Sequence, residues 1–134
     1  MLDFEEISIS LGSVEEYNED ISKKVGWSAE EIFDKTGIEK RFISSAEETA
    51  EVLALKAIDK LSPNSKESID LIISVSNTQK NNFPPIANYA HSHLGLDSEV
   101  SCYGLNHGCS GFVDALRMAY AFLSNGFYQK VLII

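Results

Sequence analysis

The sequence is short of cysteines and of long apolar runs, and each shortage excludes a class of protein. Its 134 residues include two cysteines, Cys102 and Cys109, which fit neither a disulfide framework nor a metal-ligand pattern. We therefore expect a reducing, cytoplasmic location. No apolar run reaches the roughly 18 residues of a membrane span. The first six residues are acidic where a secretory signal would be basic.

Basic residues are also scarce, since 11 Lys and Arg stand against 20 Asp and Glu, for a formal net charge of −9. This balance argues against nucleic acid and against an anionic membrane surface as partners. Fourteen of the acidic residues lie within the first 51 positions. We interpret this acidic region as a solvated surface that keeps the protein soluble.

What the sequence does contain is typical of a globular α/β domain, with 44% hydrophobic and 23% charged residues. The first half predicts a strand over 4–11 and a helix over 18–25 that Gly26 ends. Two Ser-x-x-Glu capping boxes follow, at 28–31 and 45–48, and each predicts the start of a helix. The second of these helices is expected to run to about Leu61, where Ser62-Pro63 breaks it.

The second half alternates strands and helices more clearly. Strands are predicted over 69–75, 99–105 and 128–134, with helices from Phe83-Pro84-Pro85 to Gly95 and over 110–124. Such alternation indicates βαβ units in a mixed sheet of four or more strands. Because the last strand has no turn or polar tail after it, we expect the chain to be one half of a larger fold.

The segment 106–116 looks like a loop that delivers Cys109 to the first turn of a helix. There the helix dipole and unpaired N–H groups favour a thiolate, and Gly108 and Gly111 leave room for a substrate carbonyl. The alternative is that Cys109 acts as a small buried hydrophobic residue. The helix is apolar almost all round, which predicts burial on more than one side.

Five segments resemble the thiolase superfamily, and within it the β-ketoacyl-acyl-carrier-protein synthase III group. They are Thr36-Gly37-Ile38-Glu39-Lys40-Arg41, Glu48-Thr49, Ile69-Asp70-Leu71-Ile72-Ile73, Phe83-Pro84 with Ala87, and Gly108-Cys109-Ser110-Gly111-Phe112. Each motif alone is weak, but their shared order and spacing identify the chain as a member of this family, N-terminal half.

The resemblance implies a thiolase-like fold and a decarboxylating Claisen condensation, in which Cys109 carries the acyl primer. The implied partners are acyl carrier protein and acyl thioester substrates, in a homodimer, without a cofactor. The family's catalytic His and Asn belong to the second half, which is also expected to supply the glycine-rich partner of the Cys109 N–H in an oxyanion hole.

Three residues are candidates for substrate binding by the same resemblance: Phe83, Lys35 and Trp27. Phe83 would line the acyl pocket of a neighbouring subunit, and its alternative role is a helix staple. Family members that take coenzyme A often have tryptophan five residues before Thr36, where this chain has Glu31. The single tryptophan lies four residues earlier.

Other departures concern the nucleophile segment. Gly104 replaces an aspartate five residues before the cysteine, and His107-Gly108 replaces two residues that are often alanines. We expect the His107 and Cys109 side chains to diverge across the turn. The competing interpretation of the whole chain is a non-catalytic partner that shapes a pocket. An α/β-hydrolase elbow fails on its glycine spacing, and a zinc site has too few ligands.

Overall fold

The computed structural model describes residues 3–81 and 83–134, and the chain divides into two compact units. The smaller unit spans 11–48, and the larger comprises the residues up to 10 together with 49–134.

The smaller unit consists of strand β1 (Val14–Tyr17), helices α1 (Asn18–Val25) and α2 (Ala29–Thr36), and strand β2 (Lys40–Ile43). The two strands pair antiparallel, with Val14 opposite Ile43. The predicted capping box forms, because the Ser28 hydroxyl accepts from the Glu31 amide and the Glu31 carboxylate accepts from the Ser28 amide. Capping satisfies amides that the helix itself leaves free.

A buried asparagine joins the elements of this unit. The Asn18 side-chain amide donates to the Ile38 carbonyl at 2.7 Å, and its oxygen accepts from the Arg41 guanidinium at 3.0 Å. Thr36 ends α2 by donating to the Ile32 carbonyl, and Gly37 follows with a left-handed φ of 68°. The Thr-Gly-Ile-x-x-Arg segment is therefore a helix stop followed by a strand that delivers Arg41 to Asn18.

The larger unit contains three parallel strands with helices on both faces. Its elements are α3 (Ala50–Asp59), α4 (Pro63–Lys66), β3 (Leu71–Val75), α5 (Ile86–Leu94), β4 (Ser101–Leu105), a 3₁₀ turn (Gly108–Ser110), α6 (Gly111–Ser124) and β5 (Val131–Ile133). The strand order is β4-β3-β5, with Leu71 aligned to Ser101 on one side and to Val131 on the other. Strands β3 and β4 end where the sequence predicts but begin two residues later, and β5 is shorter than the predicted strand over 128–134.

Strand β3 is central and buried on both faces, as its run of β-branched residues predicts. Ile72 packs on one face with Ile58 of α3 and Ala90 of α5. Leu71 and Ile73 pack on the other face against Ala115 and Ala119 of α6. This face-to-face alternation fixes α6, and with it the turn that carries Cys109, on one side of the sheet.

Helix α6 is buried on one face only, although its composition predicts burial on more than one side. Phe112 is 57% and Tyr120 is 54% exposed, and Val113 is also open to solvent. Within this chain the sheet covers the Ala115 and Ala119 face, and the described residues do not bury the opposite one. None of the helices in the described ranges has both the length and the apolar character that a membrane crossing requires.

The predicted strand over 4–11 is wrong. The segment joins no sheet among the described residues, and Ile7 is 76% exposed. It is held instead by scattered hydrogen bonds, among them those from the Ser8 hydroxyl to the Ala57 carbonyl and from Lys60 to the Ile9 carbonyl. The Glu6 carboxylate also accepts from the amide and hydroxyl of Ser62. The first strand of the described residues is β1, which lies between the predicted strand over 4–11 and the predicted helix over 18–25.

Two other predictions need correction. The helix expected from the box at Ser45 begins at Ala50, because the Thr49 hydroxyl caps it by accepting from the Val52 amide. The Glu48 carboxylate accepts from the Ser45 amide at 3.1 Å without a helix between them. In the described residues the sheet of the larger unit has three strands rather than four or more.

Candidate active site

Cys109 lies in the 3₁₀ turn that joins β4 to α6, immediately before the helix rather than in its first α-helical turn. The turn depends on Gly108, whose φ of 59° is unfavourable for residues with a side chain. The Gly108 amide donates to the Asn77 side-chain oxygen at 3.4 Å. Cys109 is exposed, so a reagent in solvent can reach it next to the free amides of the helix start.

The start of α6 lies unusually close to the sheet, and Gly111 makes this possible. A Cβ at position 111 would lie 2.5 Å from Cγ1 of Val75, at the end of β3. Because β3 is rigidly buried, this close contact fixes the height of the helix start above the sheet. The position of the Cys109 turn follows from it.

Steric crowding also explains the glycine at position 104 in β4. A Cβ at this position would overlap the Pro85 ring, which lies directly before α5. The aspartate that the family often has here would not fit beside Pro85 without a backbone shift.

His107 does not contribute to a local Cys-His pair but bonds to the first turns of α6. Its Nδ1 lies 3.1 Å from Oδ2 of Asp114. The Ser110 hydroxyl lies 3.1 Å from the same carboxylate oxygen and 3.0 Å from the His107 carbonyl, and can donate its proton to either. These hydrogen bonds hold the pKa of Asp114 below its ordinary value. The expected divergence of His107 from Cys109 agrees with this geometry.

Cys102, the other thiol, lies in β4 and is half-buried. Its sulfur lies 3.6 Å from the Ala87 carbonyl, to which the thiol donates. Burial raises the pKa of the Cys102 thiol. The two cysteines therefore occupy different environments.

The three predicted substrate-binding residues do not gather around Cys109 within one unit. Phe83 belongs to the larger unit and is 85% exposed, which does not fit a helix staple within this chain. Trp27 and Lys35 belong to the smaller unit, where the Lys35 Nζ lies 5.0 Å from the centre of the Trp27 ring. This distance is that of a cation–π pair.

The larger unit contains a cavity of about 940 Å³ that is not centred on the sulfur. It is lined by the extended residues 3–10, by α3 and α6, and by residues 129–134 around β5. Gly108 and Phe112 reach its wall, whereas Cys109 does not. The cavity is thus a space between an extended segment and the outer edge of β5.

Sequence reasoning missed Asp114, Ser110 and Asn77 as parts of this turn. A usable signal existed for Asp114, since it is one of three polar residues in an otherwise apolar helix and lies one turn after Cys109. The side chain of Asn77 comes from the loop after β3, and only the fold brings it to Gly108.

The sequence is similar to that of known condensing enzymes. Residues 103–134 match the family model of 3-oxoacyl-[acyl-carrier-protein] synthase III. Over 121 residues the chain is 37% identical to a β-ketoacyl-[acyl-carrier-protein] synthase III of Acholeplasma laidlawii, covering 87% of this chain and 39% of that protein. A relative of the same name from Clostridium acetobutylicum is 37% identical over 120 residues, covering 87% of this chain and 36% of that protein.

The fold is similar to those of solved synthases. A 3-oxoacyl-[acyl-carrier-protein] synthase III from Aquifex aeolicus superposes with a TM-score of 0.84 and 32% identity, covering 94% of this chain and 41% of that one. The synthase III from Thermus thermophilus gives a TM-score of 0.83 and 30% identity, with 93% and 39% covered. The chain spans about two fifths of the length of the relatives it matches.

Proposed function

Because the chain belongs by sequence and fold to the 3-oxoacyl-[acyl-carrier-protein] synthase III family, we propose that it provides the nucleophile of a decarboxylative Claisen condensation in fatty acid or polyketide-like synthesis. Cys109 attacks the carbonyl of an acyl thioester, and the carrier thiol leaves. A malonyl thioester then loses CO₂, and its carbanion attacks the acyl-cysteine to give the 3-oxoacyl product and regenerate the thiol.

The observation that carries this proposal is the placement of Cys109. An exposed cysteine follows a left-handed glycine and lies two residues before the start of a 14-residue helix. Amides at a helix start stabilise the thiolate that attacks and the oxyanion that develops. A cysteine that served only as a packing residue would be expected in the interior.

The proposed substrates are an acyl thioester and malonyl-acyl carrier protein. Trp27 and Lys35 are proposed to contact the carrier portion of a substrate, since an aromatic face beside an ammonium group suits a flat or anionic group. Phe83 is proposed to reach the acyl pocket of a second copy in a homodimer, which its exposure permits.

The chain is further proposed to form one half of the catalytic unit. The family's His and Asn and the second oxyanion-hole donor would come from a thiolase-like second half. The uncovered face of α6 and the cavity beside β5 support this arrangement, because both are apolar surfaces of the kind that a partner covers. The 134 residues alone are then expected to acylate without condensing.

Incubation with acetyl-coenzyme A tests both parts of the proposal. We expect intact-mass measurement to show one acetyl group, lost in Cys109→Ser and retained in Cys102→Ser. With malonyl-acyl carrier protein added, no 3-oxoacyl product should form at rates typical of the family, because removing members of a catalytic unit lowers the rate by orders of magnitude.

Two outcomes would contradict the proposal in different ways. If neither acetyl-coenzyme A nor acetyl-acyl carrier protein modifies Cys109, the chain fits the non-catalytic partner better. If the purified chain condenses efficiently, a local group replaces the missing pair, and the assignment to one half of the catalytic unit fails.

A further inference from the structure

Hydrogen bonds link His107, Ser110 and Asp114 to one another on either side of Cys109. The imidazole Nδ1 contacts Asp114 at 3.1 Å, and Ser110 contacts both the same carboxylate and the His107 carbonyl. The residue two positions before Cys109 and the residue directly after it are therefore tied to one carboxylate. That carboxylate lies on a helix that is anchored to the sheet through Ala115 and Ala119.

The same contact selects one form of the imidazole. A carboxylate beside Nδ1 requires a proton on that nitrogen, because carboxylates only accept hydrogen bonds. Nε2 has no hydrogen-bond partner in the described residues and is left to take up a proton from solvent. Asp114 thus holds the ring in place in both its neutral and its charged form.

Few other charges are present to offset this pair. Within the described part of the chain, the charged group in contact with the His107–Asp114 pair is Arg117, whose Nη1 lies 3.7 Å from Oδ1 of Asp114. The loop after β3 contributes the neutral Asn77. A proton gained by His107 therefore changes the charge within two residues of the sulfur.

We propose that His107, held by Asp114, is a positioning residue for Cys109 that clamps the turn and makes the reactivity of the thiol depend on the charge of the imidazole. This inference rests on the proposed function, in which Cys109 is the nucleophile. A positive charge on the ring, two residues from Cys109 along the chain, favours the thiolate, and a neutral ring has no such effect. The effect is moderate because both side chains are partly in water.

The test is the rate of Cys109 alkylation by iodoacetamide between pH 5 and 9, followed by intact mass in a Cys102→Ser background. We expect His107→Asn to slow alkylation about three- to tenfold at pH 6 and less than about twofold at pH 9. A purely structural role would slow the reaction equally at both pH values. The chain supplies a matched control in His93→Asn, which breaks a second His–Asp pair, with Asp59 at 2.6 Å.

A double-mutant cycle isolates the pair. Because the imidazole acts only while Asp114 holds it, His107→Asn should have less than about a twofold effect in an Asp114→Asn background. Circular dichroism verifies that each variant is folded. If Asp114→Asn does not fold, the comparison of His107→Asn with His107→Gln at pH 6 and pH 9 replaces the cycle, since both remove the charge.

The possible results distinguish a failure of the nucleophile assignment from a failure of the proposed role of His107. An inert Cys109 in the parent would overturn the nucleophile assignment and this inference with it. A reactive Cys109 whose pH profile is the same in the parent, His107→Asn and His93→Asn would overturn this inference alone.

Discussion

At the scale of single residues, the two cysteines differ most clearly in environment. We expect iodoacetamide at pH 6.5 to label Cys109 roughly tenfold or more faster than Cys102. Cys109 is exposed, whereas Cys102 is half-buried and donates a hydrogen bond to the Ala87 carbonyl. Burial also raises the pKa of the Cys102 thiol. Peptide mapping after a short reaction measures the ratio. Equal labelling, or preference for Cys102, would show that the nucleophile is misassigned.

A second residue-scale prediction concerns Glu51, a buried carboxylate in the first turn of α3. Burial opposes its charge, but the nearby backbone amide of Glu51, Thr49 and the Lys80 amide, which donates to Oε1 at 2.7 Å, outweigh this and lower the pKa of Glu51. Its Oε2 has no hydrogen-bond partner among the described residues. A lowered pKa contributes stability above the ordinary glutamate pKa of about 4.3, and that stability is lost as the pH falls through the lower folded-state value.

Glu51→Gln should therefore reduce the free energy of unfolding by about 1–2 kcal/mol at pH 7. The difference from the parent should shrink as the pH falls below 4. Urea unfolding at pH 7 and at a pH below 4 measures the difference in stability, with Glu67→Gln, at an exposed residue, as the control. A loss that stays the same at low pH would mean that packing, and not the carboxylate charge, explains the effect.

At the scale of elements, the contact between α6 and β3 determines where the nucleophile turn lies. Gly111→Ala should destabilise the chain by about 1–3 kcal/mol, because the added methyl group overlaps Val75. The double variant Gly111→Ala with Val75→Ala should recover most of that loss. Urea unfolding of the two single variants and the double variant provides the cycle. Additive losses would show that the helix start is not limited by Val75.

The elements predicted from the sequence are mostly those whose signals are local. The Ser28 box, the glycine stops and the apolar strand predicted over 69–75 depend on neighbouring residues. The structure confirms them, with the strand observed over 71–75. The strand predicted over 4–11 failed because alternation cannot show whether a partner strand exists. Ser45 and Thr49 both offer capping oxygens, and tertiary packing decides between them in favour of Thr49.

In the candidate site, too, the features with local sequence signals could be predicted and those that depend on tertiary contacts could not. Cys109 and its glycines stand out in the sequence because a turn before a helix has a recognisable pattern. The bond between His107 and Asp114 spans seven positions, and it depends on the turn conformation that Gly108 allows. Asn77 is 31 positions from Gly108, so only the parallel sheet brings the two together.

At the scale of the whole molecule, the uncovered surfaces predict association. Lys130 and Ile134 form backbone hydrogen bonds to β3. Because alternate residues of a parallel strand bond to the same side, the N–H and C=O groups of Val131 and Ile133 point to the other edge of β5, which pairs with no strand among the described residues. Together with the exposed face of α6, this edge favours a two-fold dimer. We expect sedimentation equilibrium at micromolar concentration to show self-association.

The contribution of α6 can be tested separately. Tyr120→Glu should weaken dimerisation by about tenfold or more, because it places a charge in the exposed apolar face. Ser124→Glu, on an exposed residue in the last turn of the same helix, is the control. A parent that sediments as a 14.8 kDa monomer at every concentration would refute the dimer.

The contact between Gly104 and Pro85 sets the spacing of two neighbouring elements. Gly104 has no side chain, so the Pro85 ring rests directly on the backbone of β4. A side chain at position 104 would have to displace this ring, and with it the start of α5. The distance between β4 and α5 therefore depends on one missing Cβ, although neither element contains the nucleophile.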